Sequence, residues 1–503
     1  MSEAPVHQRK VAFIHPDLGI GGAERLVVDA AAGLQNAGYD VTIYTSHCDK
    51  SHCFEEVKNG TLKVEVRGDA LPTHIFGKFS ILCANLRQLY LTWNLISTGK
   101  IEEYDVYIVD QLSSCVPLLH LNAPDSKVLF YCHFPDQLLA RRDGLLKKLY
   151  RIPFDILEQF TMGVADTILV NSNFTKQVFA KTFQSLAVDP KVVYPCVNVE
   201  QEEILPLDKD LMKKILKNNE KYYLSINRYE RKKNIELAIT AFAQSKQRTS
   251  HKLFISGGYD LNNSENIDYL KELETLATEL KLKHVHLSYP EYSKSPDKCP
   301  SSNFADAQIL FLTSVSSSLK ELLLQSTEML LYTPSNEHFG IVPLEAMKYG
   351  VPVLAVDTGG PLETVVDYNE TPSHIDATGW LRPSDADEWS KVLDQSVDIF
   401  EKNHSLFEVN GPKRIKYYFS REAMSKNFDN TIDHIIWKSR GTRLWSTLAP
   451  GLLMFTVQYA TLLITGDASW PYLLLAAISY FVLRSVKATV YWIIVFCYLN
   501  YST

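Results

Sequence analysis

At 503 residues the chain is too long for one ordinary core, and 46% hydrophobic with 22% charged residues describes folded domains rather than a disordered chain. A net charge of −7 speaks against a general nucleic-acid binder, which needs a cationic surplus to neutralise phosphates. Eight cysteines spread over this length make no disulfide framework, and MSEAPVHQRKVAFIHPD lacks the apolar run of a cleavable secretory signal, so the body is expected in a reducing compartment.

In chain order, RKVAFIHPDLGIGGAERLVVDAAAGLQNAGYDVTIYTS opens with an apolar run and breaks at glycines. It resumes with helical spacing through Leu26, Val27, Ala30, Ala31 and Leu34 and ends in alternating VTIYT, which reads as strand, glycine loop, helix, strand. HCDKSHC offers His47, Cys48, His52 and Cys53 as formal zinc ligands, but adjacent residues rarely aim at one tetrahedral centre, and a loop is the preferred reading. KFSILCANLRQLYLTWNLI, apolar at Leu82, Leu86, Leu89 and Trp93, is expected to be a core helix. ARRDGLLKKLYRIPFDIL sets Arg141, Arg142, Lys147, Lys148 and Arg151 among Leu145, Leu146, Leu149 and Tyr150, as an interfacial helix would.

YDVYIVDQ, KVLFYCHFPD and DTILVNSNFTKQVF continue the strand-and-turn alternation, and after a charged stretch the pattern restarts in YYLSINRYERKKN, HKLFISGGYD, KHVHLSY, AQILFLTS, EMLLYTPS and VPVLAVDTGG. Repeated units of this kind predict an α/β chain of two doubly wound, Rossmann-like domains with parallel sheets. The expected division is a first domain over 1–200, a linker over 201–220, a second domain over 221–411, a helix returning to the first domain within 412–443, and a hydrophobic segment over 444–503. That last segment, with apolar runs Leu448–Ile464, Trp470–Leu483 and Ala488–Leu499, is expected to associate with a membrane; Lys438, Arg440 and Arg443 before it keep the preceding body cytosolic.

Three stretches carry candidate chemistry. GIGGAER, with Gly21 and Gly22, lets a backbone approach a phosphate or sugar, but fails as a nicotinamide fingerprint, because Glu24 stands where the third glycine belongs and no acid closes VTIYTS. In NRYERKKN, Arg228 and Lys233 follow a strand directly, where two fixed cations neutralise a diphosphate without a metal. In TPSNEHFGIVPLEAMKYG a strand delivers Glu337 into a loop, Phe339 and Gly340 turn the chain, and Ile341–Tyr349 reads as a helix closed by Gly350. Amides at Gly340, Ile341 and Val342 then lie at a helix N-terminus suited to a diphosphate, and Glu345 either reaches toward ribose hydroxyls or pairs on the helix surface. SDADEW, with Asp385 and Asp387, reads as a helix start rather than a metal-binding DxD.

EHFGIVPLE resembles the E-x7-E motif of retaining GT-B glycosyltransferases, and it occurs with GIGGAER, NSNFTKQVF, VVYPCVNVE, NRYERKKNIELAI and GVPVLAVDTGGPLETV in the order used by family 4 of those enzymes, over about residues 10–440. With the apolar tail, the chain is most similar to the endoplasmic-reticulum mannosyltransferases of asparagine-linked glycosylation. The resemblance implies a GT-B fold with its domains facing a crevice, GDP-mannose as donor substrate, a dolichol-diphosphate-linked oligosaccharide as acceptor, and α-1,3 and α-1,6 products. It also implies membrane association at the cytosolic face of the endoplasmic reticulum, room for a complex with other enzymes of the pathway, and no nucleic acid. By carry-over, Arg228 and Lys233 hold the leaving diphosphate, Glu345 the ribose, and Glu337 the mannose or its developing charge. Gly21 and Gly22 allow close approach, and His133 of CHFP matches a histidine that contacts the donor sugar. Arg141, Arg142, Lys147 and Lys148 become candidates for acceptor or membrane contact. No obligatory metal or other cofactor is expected. A front-face route is favoured over double displacement, since no second carboxylate is visibly paired with Glu337. The rival expectations are a UDP-sugar donor and an inactive membrane scaffold of the same fold.

Overall fold

Val106–Asp110 and the interior of Asp40–His47 are buried throughout, as strands covered by helices on both faces must be. The computed structural model describes residues 8–437 apart from 141, 143, 187, 200–202, 217–219, 297–303, 305 and 369–374, and beyond them 472, 492–494 and 497. Its described residues fall into two compact units: those within Met1–Asn171, Thr175–Val193 and Met424–Thr503, and those within Ser172–Phe174 and Tyr194–Ala423.

In the first unit the strands are β1 (Lys10–Asp17), β2 (Asp40–His47), β3 (Lys63–Val66), β4 (Val106–Asp110), β5 (Lys127–Cys132), β6 (Thr167–Val170) and β7 (Lys191–Val192). They form one parallel sheet in the order β3-β2-β1-β4-β5-β6-β7, so Val11 lies between Val41 and Val106. The second unit repeats the plan with β8 (Lys221–Ile226), β9 (His251–Gly257), β10 (His284–Ser288), β11 (Ile309–Thr313), β12 (Met329–Tyr332), β13 (Val353–Val356) and β14 (Gly379–Arg382), ordered β10-β11-β9-β8-β12-β13-β14. Each sheet therefore reverses its winding once, between β1 and β4 and between β8 and β12. Ligands of doubly wound sheets lie outside the carboxyl ends of the strands at such reversals.

Two readings are revised. The stretch 201–220, expected as a linker, holds the helix Pro206–Ile215, whose Leu211, Met212 and Ile215 enter the second unit's core; its lysines and aspartates hid a short apolar stripe. The helix Ser80–Ser97 buries Leu91 and Leu95 but turns Asn85, Arg87, Gln88 and Thr92 inward as well, leaving Leu86 exposed and Leu82, Leu89 and Trp93 half-buried. Hydrogen bonds decide this: Gln88 donates to the Leu112 carbonyl at 2.7 Å and accepts from the Ser114 hydroxyl at 2.6 Å, while Arg87 pairs with Asp17 at 2.8 Å.

Helix Arg421–Ile436 belongs to the first unit from Met424 onward, where Phe428 stacks on Tyr131 with ring centroids 6.1 Å apart and Asp433 pairs with Arg9. The expected membrane segment, 444–503, lies almost wholly outside the described residues, as do Lys438, Arg440 and Arg443. Among the described residues no helix is long and apolar enough to cross a membrane.

Candidate active site

In the second unit the reversal lies between β8 and β12, and the loops leaving these two neighbours carry NRYERKKN and PSNEHFG. The buried Tyr229 anchors the first loop by donating to the Ile255 carbonyl at 3.0 Å. The cations around it then sort themselves: Arg231 pairs with Glu272, Lys232 with Glu230 at 2.9 Å, and Lys233 with Glu337. Arg228 is the loosest, 74% exposed and 3.9 Å from the nearest oxygen of Glu230. Lys233 and Glu337 are only 16% and 26% exposed, so each carries much of the other's compensation.

Backbone geometry fixes that pair. Thr333, at the end of β12, donates to the Lys233 carbonyl at 2.7 Å, tying the two loops together behind the side chains. On the far side the glycine turn of DTGGPLE packs against the Glu337 loop, with the Gly360 amide donating to the Glu337 carbonyl at 2.7 Å. A Cβ on Gly360 would stand 2.0 Å from the Phe339 carbonyl oxygen, so no larger residue fits. Gly340, at φ +81°, turns the chain into the helix Ile341–Met347, shorter by two residues than the expected Ile341–Tyr349.

Glu345 within that helix pairs with Lys320 at 2.7 Å, a partner the sequence reading did not find, so of its two open roles the surface pairing is the one visible. Burial raises the Tyr332 phenol well above its ordinary range, with Glu337 and then Glu345 adding to the rise, so this side chain stays neutral beneath both carboxylates.

The first unit's reversal gathers His15 from β1, Asp110 from β4 and His133 just past β5. Asp110 is buried and accepts from both rings, from His15 Nδ1 at 2.9 Å and from His133 Nε2 at 2.9 Å. The other nitrogen of His15 lies 3.1 Å from the Asp17 carbonyl oxygen, so both of its ring nitrogens face acceptors, an arrangement that favours the protonated ring. Burial works against that charge, but Asp110 and then Glu24 outweigh it and raise the His15 pKa. Burial likewise opposes the Asp110 carboxylate, yet the charge of His15 and the hydrogen bonds from both histidines bring it down to about 2. An ionised Asp110 fixes a proton on His133 Nε2 and leaves Nδ1 as the nitrogen offered to a ligand.

His15, Asp110 and Lys320 were missed; the available signal for the first two was their place at carboxyl ends of strands. Of the glycines, Gly21 precedes the helix Gly22–Asn36, and a Cβ there would meet a Glu24 carboxylate oxygen at 2.2 Å, whereas a Cβ on Gly22 meets nothing within 4 Å. Among the basic candidates, Arg142 is engaged with Asp155 at 2.9 Å and the Gln137 carbonyl at 2.7 Å, Lys147 and Lys148 are exposed, and Arg141 lies outside the described residues.

Two parallel, doubly wound units are the architecture of the GT-B class of glycosyltransferase, and the comparisons with known proteins assign the chain to it. The chain matches Glycosyltransferase Family 4 over residues 20–201 and Glycosyl transferases group 1 over 208–299 and 301–408. Among solved structures it resembles a glycosyltransferase from Rickettsia africae (TM-score 0.60, 16% identity, 86% of this chain and all of that one) and Anabaena HepE in complex with UDP (0.57, 18%, 84% and all). It is 52% identical to the alpha-1,3/1,6-mannosyltransferase ALG2 of Saccharomyces cerevisiae over 97% of each chain, and 48% identical to that of Schizosaccharomyces pombe over 84% of this chain and 80% of that one. The chain belongs to the ALG2 family of alpha-1,3/1,6-mannosyltransferases.

Proposed function

We propose that this mannosyltransferase takes mannose from GDP-mannose and adds it to a dolichol-diphosphate-linked oligosaccharide, forming α-1,3 and α-1,6 branches of the N-glycan precursor. The reaction is placed at the endoplasmic-reticulum membrane with both units on the cytosolic side, and the apolar stretch 444–503 is assigned to membrane association. Family membership supports the linkages and the sugar. The observation that carries the chemistry is the Lys233–Glu337 pair at the reversal of the second sheet.

A diphosphate arriving there draws Lys233 away from Glu337, and Arg228, loosely held, adds a forked donor. The amides of Gly340, Ile341 and Val342 are assigned to the same anion, and Glu345 to ribose hydroxyls while it keeps Lys320. Glu337, released, faces the mannosyl group and screens the positive charge that grows at carbon 1. In the front-face route the bond from carbon 1 to the diphosphate oxygen breaks, the acceptor oxygen bonds to the same face, and the acceptor's hydroxyl proton passes to the departing diphosphate. The protein cations meet the leaving charge, so no metal is assigned. In the first unit, His133 offers Nδ1 to a sugar hydroxyl, with Asp110 and His15 as positioning residues.

The test offers GDP-mannose or UDP-sugars with a short-chain lipid-diphosphate trisaccharide to the purified full chain, then digests the product with linkage-specific mannosidases. Mannose transfer from GDP-mannose in both linkages is expected; product from UDP-glucose alone overturns the donor assignment.

A further inference from the structure

The first unit carries a charged cluster that no step of the transfer uses. Arg87, on the helix Ser80–Ser97, is 5% exposed, and its guanidinium lies 2.8 Å from Asp17 and 3.4 Å from Asp69. His47 Nδ1 lies 2.8 Å from the same Asp69 oxygen. Asp17 ends β1, His47 ends β2, and Asp69 follows β3 by three residues, so three neighbouring strands deliver these side chains to one carboxyl edge of the sheet. Ligands of parallel sheets lie at that edge. Backbone contacts hold the cluster there. A Cβ on Gly68 would stand 2.7 Å from the Ser46 Cα, so only glycine lets the Asp69 loop approach β2 this closely. The Leu18 amide donates to the His47 carbonyl at 2.8 Å, which joins the cluster to the glycine loop.

The order of charge is the informative feature. The guanidinium is buried, while Asp17 and Asp69 stay 48% and 54% exposed. Arg87 Nε is buried without a hydrogen-bond partner among the described residues, so the guanidinium is devoted to the two carboxylates. As a stability device this is poor, because burying a guanidinium costs desolvation and pairing it with carboxylates that face water returns little. As a support it is sound. A carboxylate has about four lone-pair sites, and one cation beneath two of them fixes both while their outward sides remain open to donors.

We propose that Asp17, Asp69 and His47, supported by Arg87, form a subsite for an uncharged sugar of the acceptor, whose hydroxyls donate to the two carboxylates. Charge selects this ligand. One guanidinium against two carboxylates leaves no positive surplus for a diphosphate, whereas a polyol supplies donors without a charge to be repelled. The bond from Leu18 to His47 sets that sugar beside the glycine loop, and the contact from His15 to the Asp17 carbonyl ties it to the Asp110 site. The proposal rests on the acceptor reading above, and its test separates the two.

The purified full chain is assayed with GDP-mannose and the short-chain lipid-diphosphate trisaccharide, and with analogues of that trisaccharide that each lack one hydroxyl. Asp69→Asn is expected to raise KM for the acceptor about tenfold, the loss of a hydrogen bond to a charged group, and to leave KM for GDP-mannose within about twofold of the parent. Neither KM depends on the fraction of enzyme that is folded, and Asp17→Asn, run in parallel, is read by the same criteria. At least one deoxy analogue should cost the parent about tenfold in KM and Asp69→Asn little more, because the contact is already gone. An unchanged acceptor KM, an equal rise in both KM values, or losses that multiply for every analogue overturns the subsite and leaves the acceptor reading standing. No transfer by the parent to any lipid-diphosphate trisaccharide overturns both.

Discussion

The two winding reversals solve the same problem in opposite ways. In the first unit the charge is balanced and buried: Asp110 sits between two histidines, and that arrangement is complete without a ligand. In the second unit Lys233 and Glu337 satisfy each other at a half-buried position, so a ligand must divide them. On the proposed reading the first site is preorganised, while the second gives up its own ion pair on binding and regains the loss through the diphosphate. Substitutions should separate the two, since one site is sensitive to geometry and the other to charge.

The largest effect is expected at Lys233. Lys233→Ala removes the cation and leaves Glu337 unpaired beside an incoming anion, so kcat/KM for GDP-mannose should fall by about 10²–10³, the range seen when one electrostatic donor is lost. Lys233→Arg restores the charge but replaces a compact ammonium with a planar fork of different shape, and should recover only part of the loss in the same assay. Glu337→Gln keeps a hydrogen-bonding group and frees Lys233 for the diphosphate. Its kcat should drop by roughly 10–10² with KM for GDP-mannose unchanged or lower, as expected where a group acts on the transition state. A rise in KM with kcat intact would move Glu337 from the mannosyl group to ground-state binding.

The buried site should respond less, and through protons. Asp110→Asn can no longer hold both rings as an acceptor, so kcat should fall by roughly tenfold with a changed pH–rate profile, and nitrogen NMR should show His133 with mixed tautomers. His15 gives a stability signature with a definite sign. Its folded pKa is raised above the ordinary 6.5, so its contribution is fully present below that value and is lost as pH rises through the folded value. Asp110 works in the other direction: its contribution is present above the ordinary 3.8 and disappears as pH falls toward about 2, so it is constant near neutrality. The Tm difference between wild type and His15→Gln, measured from pH 5 upward, should accordingly be largest at the acid end and shrink with rising pH. A flat difference would mean that His15 is neutral in the folded chain.

This contrast also governs what the sequence disclosed. Strands such as VYIVD and ILFLT are apolar on both faces, so their positions and the two-domain plan follow from pattern alone. Lys233 and Glu337 were legible because each lies in the loop that leaves such a strand, with turn residues around it. His15 and Asp110 were not: each reads as an ordinary strand end, and only the order of the sheet, which sets β1 beside β4, brings together residues 95 positions apart. Lys320 was hidden because it stands on the helix Ser317–Ser326, and only the packed fold sets it against Glu345 of Ile341–Met347. The helix Ser80–Ser97 misled only in part: Leu91 and Leu95 are buried as a core helix requires, but buried hydrogen bonds from Gln88 and Arg87 turn polar residues inward as well and leave Leu86 exposed.

The smallest effect sharpens the comparison most, because it separates room within a unit from room used by a ligand. A methyl on Gly22 meets nothing within 4 Å in its own unit, and alanine is a better helix former than glycine at the start of Gly22–Asn36. Gly22→Ala should therefore leave Tm unchanged or slightly higher. If the glycine loop lies against the sugar nucleotide, KM for GDP-mannose should nevertheless rise roughly threefold to tenfold, about 0.7–1.4 kcal/mol of lost binding. Gly21→Ala is the internal control. There the new methyl displaces a Glu24 carboxylate oxygen 2.2 Å away, disturbing the carboxylate that supports His15, so any loss should come with a Tm change that Gly22→Ala lacks. Equal KM for wild type and Gly22→Ala would make the glycine loop a structural turn and leave donor recognition to the second unit's loops.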